Sequence, residues 1–320
     1  LPFLYKERAQ QLRDKYDYLI LYYSGGADSH NILRTFIDNN IKLDEICVLR
    51  SKIEHKIYTP NTQNVGNENI FSEWDFCIKP TLDWVSVNHP NIKITLSDIF
   101  DNKIDNVLND DTFVTAGQHV DAFGVFRRKG YSENLTKELD KGNRVANIFG
   151  IDKPQIVKVG NDCFVKFNDG VNVTLDLRED IEVDIEPFYW TPDMPELVFE
   201  QAYRMYKYFS EHPDKQHTID VQYLKTASVP VYRTTWMNDL QKELLYTTWD
   251  NRFQAEKAFM SGSDVYSRDI YYLQIPELKD LVQRWKFYFS EYSDVTEKEH
   301  WMWPVKQRVS FSPHYFLATF

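Results

Sequence analysis

Six consecutive residues carry the densest chemistry in this chain: Ser24, Gly25, Gly26, Ala27, Asp28 and Ser29. Two adjacent glycines free the backbone to bend and bring peptide N–H groups close to an anion. Presented at the positive start of a helix, such groups cradle phosphate oxygens. Ser24 and Ser29 add hydroxyl donors, and Asp28 offers a carboxylate that holds Mg²⁺ or orients a hydroxyl. Neither common glycine loop fits, because there is no Gly-Lys-Ser/Thr ending and no set of three spaced glycines. The expectation is a phosphate-binding turn of another kind.

Such a turn needs a strand before it and a helix after it. The apolar run from Tyr18 to Tyr23 reads as a buried strand. Ile32, Leu33, Phe36 and Ile37 recur at helical spacing until Asn39 and Asn40. Residues 5–15 predict a helix leading into that strand, and Glu45 to Leu49 predict a second strand. Arg50 and Ser51 then fall at a strand's carboxyl end, where open α/β sheets bind ligands. Ile70, Trp74, Cys77 and Ile78 give a helix over 67–79, and Thr81 to Val87 a second, short one ended by Asn88, His89 and Pro90. Ile92, Ile94 and Leu96 alternate with polar residues in a third strand ending at Asp98. This rhythm of strands and helices predicts an α/β class with a parallel sheet.

The loop resembles the Ser-Gly-Gly-x-Asp-Ser signature of the PP-loop ATP pyrophosphatases. That superfamily includes the synthetase domain of asparagine synthetases, GMP synthetase, NAD synthetase, tRNA thiolases and the sulfate-activating reductases. The resemblance covers residues 15–100 and returns at Asp152, Lys153 and Pro154. It implies a Rossmann-like fold of the HUP type that binds ATP and Mg²⁺, with residues 24–29 around the terminal phosphates and Asp28 on the metal. It also implies backbone recognition of adenine near Arg50 and Ser51. Lys153 is then a candidate to neutralise charge on the phosphates, its alternative being a surface turn lysine. The implied reaction splits ATP into AMP and pyrophosphate to activate a carboxylate or carbonyl oxygen, with amide or C–N bond formation on a small molecule or nucleotide. Residues 188–197 and 253–257 are similar to stand-alone, phage-encoded asparagine-synthase-like members.

The chain departs from each subfamily. No glutaminase cysteine precedes the loop, so a built-in ammonia supply from glutamine is not expected, and delivery of ammonia or sulfur by a partner stays open. The three cysteines, Cys47, Cys77 and Cys163, form no Cys-x-x-Cys pair and no zinc set. Cys77 and Cys163 read either as a redox pair for sulfur transfer or as buried structural residues. The histidines at 30, 55, 89, 119, 212, 217, 300 and 314 show no metal-binding spacing. His30 reads as helix packing or as a phosphate neighbour. A net charge of −11 opposes non-specific nucleic-acid binding, although Arg127, Arg128 and Lys129 form a basic cluster that is either a solvated face or a contact to ATP. A tRNA- or nucleobase-modifying enzyme and a non-catalytic nucleotide-binding protein stay open as alternatives. No run of eighteen apolar residues occurs and the start lacks a secretory signal, so a cytoplasmic protein without a membrane span is expected.

Beyond residue 155 the period changes. Residues 155–159 and 163–167 alternate, and Asn168, Asp169 and Gly170 predict a turn before 171–177. A small antiparallel hairpin or meander is expected there, then helices at 196–210, 236–247, 251–260 and 276–291. The expected division is an ATP-binding domain over 1–155 and a β-hairpin plus helical, aromatic substrate-recognition region over 156–320. Phe188 to Trp190 and Trp285 to Phe289 read as packing groups before base-stacking groups.

Overall fold

The computed structural model describes residues 1–50, 77–98, 132–150, 153–167, 184–221, 235–246 and 314–320. Helix α1 (Pro2–Lys15) opens with Pro2 in its first turn, where a missing N–H loses no helical bond. Its buried Tyr5, Ala9 and Leu12 follow the helical period and face the core. Strand β1 (Tyr18–Tyr22) follows, then α2 (Ala27–Asp38), β2 (Glu45–Arg50), α3 (Lys79–Asn88), β3 (Lys93–Asp98), α4 (Glu133–Asp140) and β4 (Val145–Phe149). The remaining elements are β5 (Gln155–Val159), β6 (Asp162–Lys166), β7 (Asp184–Pro187), α5 (Pro195–Glu211), a 3-10 helix (Pro213–Ile219), α6 (Thr235–Leu245) and β8 (Tyr315–Thr319).

Five strands form one parallel sheet in the order β3-β2-β1-β4-β7. Ile20 of β1 pairs with Glu45 on one side and with Asn147 on the other. Parallel neighbours need a crossover, which α2 supplies between β1 and β2. The sheet is buried on both faces. Leu19, Leu21, Ile46 and Val48 pack with Leu12, Leu33, Phe36 and Val85 from α1, α2 and α3. Ile20, Tyr22 and Cys47 face the other way, toward Leu135 of α4. Double coverage explains why β1 is an unbroken apolar run instead of an alternating one. Burial of each such side chain contributes about 1.5–3 kcal/mol, enough for a handful to hold a helix on the sheet. A buried polar contact fastens α4: its N-cap Ser132 donates to Glu45 Oε1, and Asn134 Nδ2 donates to the same oxygen at 3.2 Å.

Strand β3 keeps its alternation at Ile94, which packs with Ile92 against the main core. Thr95 is buried, accepting from Asn134 Nδ2 at 3.1 Å, while the apolar Leu96 is exposed. Thr95 thus lies on the opposite face, toward α4, with its hydroxyl partnered.

Beyond residue 155, β5, β6 and β8 build a second, antiparallel sheet. Val157 pairs with Phe164, and Val165 pairs with Tyr315. The expected hairpin therefore forms over 155–166 and gains a third strand from residues 315–319. Ile156, Cys163 and Val165 pack beneath Ala202, Met205 and Phe209 of α5. The parallel sheet itself crosses the expected boundary at 155, because β7 pairs with β4 and places Glu186 beside Ile148. Glu186 is held there by Arg8 Nη2 at 2.6 Å and Lys15 Nζ at 2.9 Å, an ionic clasp between α1 and β7. Residues 67–76, 105–126, 171–177, 251–260 and 276–291, which carried further expected elements, lie outside the described residues, as does the basic cluster at 127–129.

Candidate active site

The strand order reverses at β1, whose neighbours lead away on opposite sides. In open α/β sheets the crevice at the carboxyl end of such a strand is where ligands bind. Residues 24–29 occupy that end. Tyr23 N still bonds Cys47 O at 2.9 Å, after which the chain turns out of the sheet. Gly25 has φ +73°, and a Cβ there would lie 2.6 Å from Ile78 Cγ1. Backbone conformation and space both demand glycine. Gly26 is the N-cap of α2 and no side chain caps the helix. The first intrahelical bond runs from His30 N to Gly26 O at 2.9 Å, so the N–H groups of residues 27–29 precede the helical ladder. An uncapped, positive helix start behind a glycine turn is a cradle for an anion.

Both serines brace this turn. Ser29 Oγ donates to Gly26 O at 3.1 Å and accepts from Ser24 N at 3.2 Å. Ser24 Oγ lies 3.3 Å from Ser29 Oγ and accepts from Gly26 N at 3.3 Å. These contacts sit at the long end of the hydrogen-bond range, so the hydroxyls are held lightly.

Asp28 lies in the first turn of α2, and its Oδ1 receives both the Lys153 ammonium and the Tyr246 hydroxyl. Lys153 reaches this point because the chain leaving β4 crosses directly over the helix start. A Cβ on Gly150 would lie 3.1 Å from Asp28 C, Ser29 N and Ile32 Cδ1, so any larger residue would push the two segments apart by a few tenths of an ångström. The Lys153 side chain is 15% exposed and that of Asp28 32%, which makes the pair partly shielded and open on one side. Burial pushes the Asp28 carboxyl up, but the Lys153 charge and the bonds from Lys153 and Tyr246 outweigh it and hold the group below its ordinary 3.8. Tyr246 is pushed well above 10, by burial first and by the Asp28 charge second, and so stays a donor.

A second tyrosine holds the backbone of the same residue. Tyr189 O–H donates to Asp28 O at 2.6 Å and accepts from Asn31 Nδ2 at 3.2 Å. Its ring centroid is 5.4 Å from that of Tyr246 and 5.7 Å, edge-on, from that of Tyr5. Tyr189 is fully buried, as is Phe188, so these aromatics are packing groups that also carry a hydrogen bond. Tyr246 and Tyr189 carried no motif in the sequence. The only signals were the aromatic run at 188–190 and the helix expected over 236–247.

The other candidates are placed less centrally. The Arg50 backbone pairs with Asp98 at the carboxyl end of β2, beside the loop's strand, whereas its side chain and all of Ser51 lie outside the described residues. His30 Nδ1 bonds the Tyr23 hydroxyl at 3.1 Å. Cys77 is buried beside Gly25, its Cβ 3.3 Å from where a side chain there would begin. Cys163 is buried in the second sheet's core under α5, where burial pushes its thiol up to about 12. Lying in separate parts of the fold, the two thiols form no bonded pair.

Among the described residues no three His, Cys, Asp or Glu side chains converge on one point. Asp28 therefore stands as a single carboxylate at the mouth of an anion cradle. That donor set fits Mg²⁺ as it travels with a polyphosphate, since the ion keeps several waters and takes one or two carboxylates. Comparisons with protein-family models, curated proteins and solved structures gave no match.

Proposed function

We propose that this chain is an ATP pyrophosphatase of the PP-loop kind that adenylates an acceptor. The observation that carries the reading is the Ser24–Ser29 loop at the carboxyl end of the central strand, with Lys153 brought onto Asp28. The strand order β3-β2-β1-β4-β7, with its switch at β1, supports a Rossmann-like sheet of the HUP type. The N–H groups of residues 27–29 bind the terminal phosphates of ATP, while the serine hydroxyls turn from each other toward phosphate oxygens. Asp28 holds Mg²⁺, which supplies charge neutralisation at the phosphates. Lys153 supplies a second positive charge at the same place, preorganised by Tyr246 and by Gly150's close crossing. A carboxylate or carbonyl oxygen of the acceptor attacks the α-phosphorus. The bond to the bridging oxygen breaks, and pyrophosphate leaves with the electron pair. A nitrogen nucleophile then attacks the activated carbon and AMP departs.

The region beyond residue 155 selects the acceptor, and Tyr246 at the end of α6 reaches the loop at Asp28. Amide or C–N bond formation on a small molecule or nucleotide accounts for the net charge of −11 better than action on tRNA. The two thiols at 77 and 163, both buried, favour nitrogen over sulfur transfer. The test is release of AMP and pyrophosphate from α-labelled ATP with Mg²⁺, screened over amino acids, nucleotides and tRNA. Products with one acceptor class, lost in Asp28→Ala, support the reading. ADP and phosphate as products, or equal turnover by Asp28→Ala, remove it.

A further inference from the structure

The end of helix α6 meets the loop from a part of the chain more than two hundred residues away, and Tyr246 makes the hydrogen bond. Tyr246 follows the last turn of α6, where its N–H bonds Lys242 O at 2.8 Å. Its hydroxyl donates to Asp28 Oδ1, and its ring lies beneath the Lys153 ammonium, 5.3 Å from the centroid. Gln241, one turn earlier, donates to Pro154 O at 3.3 Å, and Tyr5 O–H donates to Leu245 O at 3.1 Å. The end of α6 is thus fastened to α1, to the segment carrying Lys153 and to the carboxylate of the loop.

We propose that Tyr246 is a positioning residue that orients the Asp28 carboxylate for a phosphate-borne Mg²⁺, an inference that rests on the ATP-binding reading above. A carboxylate whose Oδ1 is fixed by the Tyr246 hydroxyl beside Lys153 presents its other oxygen in a defined direction. Groups that orient a metal ligand in this way commonly change metal affinity or activity by about 10–100-fold when removed. The ring contributes a separate contact, a cation–π contact to Lys153, which phenylalanine would preserve.

The test is calorimetric binding of ATP to the full chain, titrated over Mg²⁺ concentration, for wild type, Tyr246→Phe and Tyr5→Phe. Tyr246→Phe is expected to raise the Mg²⁺ concentration for half-maximal enhancement of ATP binding by about tenfold, with Mg²⁺-free binding within twofold of wild type. Tyr5→Phe loosens the same helix end without touching Asp28 and is expected to leave the Mg²⁺ midpoint in place. Equal weakening of both binding modes by Tyr246→Phe, no shift at all, the same shift in Tyr5→Phe, or loss of folding in Tyr246→Phe would each overturn the positioning role. Wild type that binds no ATP removes the functional reading itself, and the role of Tyr246 with it.

Discussion

Lys153 and Asp28 stand 125 residues apart in the chain, yet the ammonium of one lies on Oδ1 of the other. The contact exists because Gly150 lets the strand exit pass within van der Waals range of the α2 start. A buried or half-buried pair of this kind costs desolvation on both sides, so geometry and added hydrogen bonds decide its value. Here Tyr246 supplies the added bond.

Replacing Lys153 by methionine keeps the stem and removes the charge. The Asp28 carboxyl then loses the strongest influence holding it down, and its pKa rises. Turnover is expected to fall by about 10²–10³, the size associated with a lost preorganised charge at a reacting group. Steady-state pyrophosphate release checks this, with circular dichroism to show that the variant remains folded.

Gly25→Ala tests the turn itself. The substitution places a Cβ at φ +73° and 2.6 Å from Ile78 Cγ1. A strained backbone costs about 1–3 kcal/mol before the clash is counted. Loss of ATP binding with a lowered Tm is expected, and undiminished ATP affinity would show that the turn does not carry the phosphates.

Tyr189→Phe removes the donor to Asp28 O and one acceptor of Asn31, deep in the core. Because phenylalanine keeps the ring packing, the loss should reflect the hydroxyl alone, about 1–3 kcal/mol in urea unfolding. A change below a few tenths of a kcal/mol would show that neither bond contributes to stability.

Glu186 makes the protein acid-sensitive. Burial raises its pKa, but bonds from Tyr16, Lys15 and Arg8 outweigh that and hold it below the ordinary 4.5. A carboxyl whose folded pKa is depressed stabilises the fold fully above the unfolded value, and that stability is lost as pH falls through the folded one. Stability is therefore expected to be level in this contribution above about pH 4.5 and to decline below it. Glu186→Gln should be less stable at neutral pH and lose less on acidification. Parallel urea midpoints for both proteins from pH 7 to pH 3 measure the difference.

What the sequence determined by itself lies in local chemistry. Two glycines between an apolar run and a helical period define strand, turn and helix, because each signal acts over a few residues. The alternation of β1, α2 and β2 was legible for the same reason, and so was the antiparallel pairing of 155–159 with 162–166. Only the tertiary structure decided which residues converge on the loop. Gly150, Tyr189 and Tyr246 are unremarkable in their own segments, and their roles arise where segments far apart in sequence pack together. The fifth parallel strand at 184–187 was invisible for a related reason: four residues, one a proline and two acidic, carry no strand pattern, and Arg8 and Lys15 neutralise Glu186 only in the fold. Thr95 lies on the α4 face of β3, where its partner is the distant Asn134. Periodicity reports a residue's own preference, whereas a site is assembled from partners, and partners are chosen by packing.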